Sequence, residues 1–79
     1  MDLIDAARCW REQNQYVGRG GVVVLYKGRV QGWVNMLRNP GNWRPGCIAV
    51  DEDGQCWTAR AGNDRDGALI WLSNGTIAG

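Results

Sequence analysis

The 79 residues carry nine basic and eight acidic side chains, a formal charge of +1, and 44% hydrophobic residues. A chain of this length makes one domain, 1–79, with a thin core, because it buries only roughly 60% of the surface its unfolded state exposes. The balanced charge excludes the broad field that draws nucleic acid or a membrane surface without specific contacts, and the absence of histidine removes Ser-His and Cys-His hydrolytic chemistry.

Five tryptophans and no phenylalanine imply that Trp10, Trp33, Trp57 and Trp71 fill much of that core. Twelve glycines, most of them at turn positions, favour short strands. No run approaches the roughly 20 apolar residues a membrane-spanning helix needs. The N-terminus, Met-Asp-Leu-Ile-Asp, has neither a basic leader nor an apolar one, so the expected location is the cytoplasm. Cys9, Cys47 and Cys56 are odd in number and form no CxxC, which fits reduced thiols.

In chain order, Asp2 to about Gln15 has helical spacing, with Asp2 as N-cap. Leu3, Ile4, Ala7 and Trp10 are expected to pack on a sheet, while Arg8, Arg11 and Glu12 face solvent. Val17 to Gly21 breaks the helix with three glycines. Phosphate loops follow a strand and open a helix, whereas this loop precedes a strand, so its order argues against one.

Gly20 to Met36 is the strongest hairpin signal, with Lys27-Gly28 as its two-residue loop. A regular register opposes Tyr26 to Arg29, Leu25 to Val30, Val24 to Gln31 and Val22 to Trp33. One face then holds Val23, Leu25, Val30, Gly32, Val34 and Met36; the other holds Val22, Val24, Tyr26, Arg29, Gln31 and Trp33. The second face is covered by the helix, offered to a partner, or used to form a homodimer.

Leu37 to Gly46 is a long loop containing both prolines, and its Arg38, Trp43 and Arg44 are residue types enriched at binding hot spots. Trp43 folding back over the core is the competing reading. Cys47 to Val50 and Gln55 to Arg60 form a second hairpin around Asp51, Glu52, Asp53 and Gly54, in a register that keeps Cys47 and Cys56 apart. Ala61 to Gly67 is a polar loop with Asp64 and Asp66, Ala68 to Ser73 is an apolar strand, and Asn74-Gly75 signals a turn into a short last strand over Thr76 to Ala78. The fold class is α+β, an N-terminal helix packed on a four- to five-stranded antiparallel sheet.

The paired acids lie on glycine-flanked tips without a pocket, and calcium-loop or zinc-site spacing is absent, so no enzyme, metal or cofactor is expected. Two binding readings remain. One is a protein-binding inhibitor using Tyr26, Arg29, Trp33, Arg38, Trp43 and Arg44, or the acidic tips Asp51, Glu52, Asp53, Asp64 and Asp66. The other is a single-strand nucleic-acid module in which the same aromatics stack bases and arginines track phosphates.

In size and layout, one short helix before the hairpins Val22–Trp33 and Ile48–Trp57 with no catalytic motif, the whole chain resembles the small phage-encoded anti-CRISPR proteins. That group shares no common motif, so no functional residue carries over. The resemblance implies a protein that binds a bacterial CRISPR surveillance complex, with a type I complex expected, in the host cytoplasm and blocks engagement of target DNA. The charge of +1 departs from the strongly acidic members that mimic DNA.

Overall fold

In the computed structural model, which describes residues 3–73, one helix lies on one face of a five-stranded antiparallel sheet, as the α+β reading expects. The helix α1 spans Leu3–Asn14, and the strands are β1 (Val22–Tyr26), β2 (Arg29–Val34), β3 (Ile48–Asp51), β4 (Cys56–Arg60) and β5 (Ile70–Ser73). Their spatial order is β2-β1-β3-β4-β5. The Asp2 cap, the Asn74-Gly75 turn and the strand expected over Thr76 to Ala78 lie outside the described residues.

Residue 15 ends the helix by adopting a left-handed conformation, φ 62° at Gln15, so that the Tyr16 N–H donates to the Arg11 carbonyl at 2.8 Å. This six-to-one bond is the Schellman closure, and its usual apolar contact is the Tyr16 ring on Trp10, centroids 4.9 Å apart. Leu3, Ala6, Ala7 and Trp10 then pack on Val23, Leu25, Ile48 and Val50. Ile4, expected in that contact, is 37% exposed.

The first hairpin turns at Lys27-Gly28 with positive φ at both residues, 51° and 80°, the geometry that suits the right-handed twist of its strands. The register is regular for Tyr26↔Arg29 and Leu25↔Val30 and then shifts, with Val24 opposite Gly32, Val23 opposite Trp33 and Val22 opposite Val34. Gln31 is the extra residue of a bulge. The shift corrects the regular register and exchanges the faces of everything after it: Trp33 joins Val23 and Leu25 beneath the helix, and Val34 joins Val22 and Val24 on the far side. Val22 and Trp33 therefore share no face, and the dimer surface expected from them does not exist.

Both faces of the central strands are covered, which is why β1 reads as an unbroken apolar run. Residues 35–47 cross the face opposite α1 as a strap containing one 3-10 turn, Pro40–Asn42. The strap is tied by Ala68 N–H donating to the Trp43 carbonyl at 2.8 Å and Gly46 N–H donating to the Ala59 carbonyl at 2.9 Å. Beneath it lie the small residues Ala49, Ala59 and Ala68, and Leu37, Trp43, Trp57 and Trp71 fill the space they leave. Cys47 points into this layer and Cys56 into the helix layer, so the two thiols face opposite sides.

Arg11 overturns its expected place on the solvent side: it is 3% exposed. Its Nη1 donates to the carbonyls of Tyr16 at 3.3 Å and Gly20 at 2.9 Å, and its Nη2 donates to that of Gly21 at 3.0 Å. Position 11 falls one turn after Ala7 on the same stripe, and the planar fork satisfies carbonyls of a loop with no strand ladder to pair with. Replacing Arg11 by Ala strands those acceptors and is expected to lower unfolding free energy by about 3 kcal/mol in urea titration; a loss below about 1 kcal/mol would remove the clamp from the account. The bulge has its own test. Deleting Gln31 leaves Gly32, Trp33 and Val34 in a regular register on the faces they already occupy, so the variant is expected to stay folded with circular dichroism like the parent, whereas a ladder without a bulge would have both faces inverted by the deletion and unfold.

Candidate functional site

The strap and β2 together frame two adjoining grooves. One, of about 570 Å³, is lined by Trp33, Val34, Asn35, Met36, Arg38, Asn39, Asn42 and Trp43. The other, of about 320 Å³, is lined by Tyr26, Gln31, Asn42, Trp43, Arg44 and Cys47. They share Asn42 and Trp43, and no acidic residue lines either. Five of the six predicted aromatic and arginine site residues, Tyr26, Trp33, Arg38, Trp43 and Arg44, thus converge on one surface; Arg29 is exposed beside it, paired across the hairpin with Tyr26.

Each aromatic in this surface is held in place. The Trp33 indole N–H donates to the Gly20 carbonyl at 3.0 Å while its ring meets Tyr16 edge-on at 4.9 Å. Trp43 packs on the core beneath the strap and stands 3.6 Å from where a Cβ on Gly32 would sit, so this side chain folds back, as the competing reading had it, and shows only part of its ring. The Tyr26 ring carries the Arg44 guanidinium 4.9 Å from its centroid and the Lys27 ammonium at 5.4 Å. A side-chain hydrogen bond with Tyr26, and after it the charge of Asp64, raises the pKa of Arg44 and favours its charged form. Met36, 57% exposed, is the flexible apolar element of the groove. Burial pushes the Cys47 thiol above the ordinary cysteine range.

The acidic tips are not a single edge. Asp51 to Asp53 precede β4 and Asp64 to Asp66 follow it, so the five-residue strand separates them by roughly 16 Å. Asp51 closes its own turn by accepting from the N–H groups of Asp53 and Gln55, each at 2.9 Å. Asp66 accepts from Asn63 Nδ2 at 3.3 Å, and the Asn63 side chain caps the loop by accepting from the N–H groups of Arg65 and Asp66.

Glu52 turns back onto the glycine loop. Its two carboxylate oxygens accept from the N–H groups of Gly18 and Gly20 at 2.7 Å each, and Oε1 lies 3.6 Å from Arg11 Nη1. The sequence pointed to Glu52 as an outward-facing acid and to the glycines as a break in the helix; it set Arg11 in solvent and did not single out Tyr16. The signal available was an Arg on the buried stripe of a helix next to three glycines and a single Glu among aspartates.

Comparison of the chain with protein-family models, with curated proteins and with solved structures finds no match. No helix among the described residues is long and apolar enough to cross a membrane, and no cluster of potential metal-ligating side chains occurs among them.

The N–H groups of Gly18 and Gly20 hold the Glu52 carboxyl below the usual glutamate range, and Arg11 adds a smaller pull in the same direction. A carboxylate whose folded pKa is depressed stabilises the fold above its unfolded pKa and loses that contribution as pH falls through the folded one. Thermal midpoints of the parent are therefore expected to fall more steeply below about pH 4.5 than those of Glu52→Gln. Parallel pH profiles would contradict the contact.

Proposed function

We propose that this protein is a non-enzymatic inhibitor that docks the Tyr26, Trp43, Arg44, Arg38 and Met36 surface on a subunit of a bacterial CRISPR surveillance complex, type I in class, in the host cytoplasm, and so keeps target DNA from engaging. The observation that carries the docking mode is the pair of adjoining grooves, which join immobilised aromatics, two exposed arginines and an exposed methionine without an acidic residue in their lining. Aromatic, Arg and Met side chains are the types enriched at interface centres, and rigid anchors bind with less ordering cost. The choice of partner rests on the likeness in size and layout to anti-CRISPR proteins.

The second reading, a single-strand nucleic-acid module, draws on the amides Gln31, Asn35, Asn39 and Asn42 that line the same grooves beside Arg38 and Arg44. It is the weaker of the two because base stacking needs open ring faces. Tyr26 carries two cations, Trp33 meets Tyr16, and Trp43 lies on the core.

The test uses a purified type I complex and a labelled target duplex in a gel-shift assay. Addition of the chain is expected to abolish duplex binding, and the exposed double charge reversal Arg38→Glu/Arg44→Glu, with an unaltered melting midpoint, to weaken inhibition by at least about 30-fold, equivalent to about 2 kcal/mol. Duplex binding untouched by the parent chain would refute the partner. Retention of a single-stranded oligonucleotide by the chain alone, falling steeply with salt, would move the function to the second reading.

A further inference from the structure

The loop between α1 and β1 has the construction of an anion site. Gly18, Gly20 and Gly21 all take positive φ, 83°, 70° and 66°. A Cβ on Gly18 or Gly20 would meet nothing within 4 Å, so packing does not demand glycine at either position. What the backbone conformation does is aim two N–H groups at one point, as in the concave nests that cradle oxyanions. Beside that point stands the buried guanidinium of Arg11, and a cavity of about 210 Å³ adjoins it, whose charged lining residues are Arg8, Arg11, Glu12, Asp51 and Glu52.

Glu52 fills the nest but not the guanidinium beside it. Its oxygens take the two N–H groups at 2.7 Å and lie 3.6 Å from Arg11 Nη1, whose own N–H groups already donate to the Tyr16 and Gly20 carbonyls. Arg11 Nε, in a side chain 3% exposed, has no acceptor among the described residues. A planar carboxylate on a side chain tethered at a hairpin tip presents two oxygens; a tetrahedral oxyanion presents more, and brings greater charge to a guanidinium already removed from water. The Glu52 side chain is itself 29% exposed, so the contact is open to solvent from one side.

We propose that the Gly18–Gly21 loop with Arg11 is a binding site for a phosphate group, and that Glu52 is its displaceable intramolecular occupant in the free protein. Displacement releases the β3–β4 tip from the loop and leaves Arg11 facing the bound oxyanion. The loop touches the larger groove through Trp33, whose indole donates to the Gly20 carbonyl, but the site does not rest on the function proposed for that surface.

The test follows the amide resonances of Gly18 and Gly20 during titration with inorganic phosphate at constant ionic strength. In Glu52→Ala both resonances are expected to move saturably at millimolar phosphate, together with a rise in melting midpoint, and in the parent at least tenfold more phosphate is expected to be needed because Glu52 competes. Glu52→Gln, which keeps the shape and lowers the charge, is expected to fall between them. Absence of saturable shifts in Glu52→Ala whose remaining spectrum is that of the folded parent, or identical titrations of parent and variant, would overturn the proposal. A parallel titration of Glu52→Ala with a short single-stranded oligodeoxynucleotide separates the sources: saturation by the oligonucleotide at lower concentration than by phosphate assigns a nucleic-acid phosphodiester, and the reverse order assigns free phosphate.

Discussion

The buried Arg11 guanidinium is the interaction on which the rest of the arrangement depends. It joins the end of the helix to the glycine loop by binding three carbonyls, and it lies against the carboxylate that the second hairpin sends to the same loop. A loop of this kind has no ladder to pair its polar groups, and buried carbonyls without donors are costly. One fork replaces several backbone donors. The Gly20 carbonyl that accepts from Arg11 also accepts from the Trp33 indole, so the clamp that closes the helix layer also sets the orientation of an aromatic lining the larger groove.

The bulge at Gln31 carries the second constraint. By moving one residue out of the ladder it places Trp33 under the helix and frees the opposite face of β2 for Gly32 and Val34. Trp43 then packs over Gly32 on that face, and the strap that delivers Trp43 also carries Arg38 and Arg44. The candidate docking surface is thus a consequence of how a thin sheet covers both of its faces. A helix of twelve residues covers one side, and a strap with almost no regular structure covers the other, leaving grooves on either flank of its tryptophan.

Local chemistry made much of the fold legible. The Lys27-Gly28 turn, the Gly54 turn, the helix span and the apolar strand around Trp71 follow from turn propensities and periodicity that act within a few residues. The bulge was not legible, because a regular and a bulged register use the same residues and differ only in which face is buried at the end of the strand. Arg11 was misplaced for a related reason: an arginine beside a helix's apolar stripe is normally solvated, and the carbonyls that bury this one come from residues five to ten positions onward. Of the candidate site, the convergence of Tyr26, Trp33, Arg38, Trp43 and Arg44 agrees with their residue types, while the acidic tips are parted by β4, with Asp51 and Asp66 engaged in their own turns and Glu52 turned onto the glycine loop.

Amide hydrogen exchange of the chain alone and bound to a type I surveillance complex tests the docking surface most directly. The account predicts new protection in residues 26–31 and 35–44, with the outward side of α1 and the strand β5 unchanged. Protection confined to β5 and the 51–54 tip, with residues 35–44 exchanging as in the free chain, would contradict it.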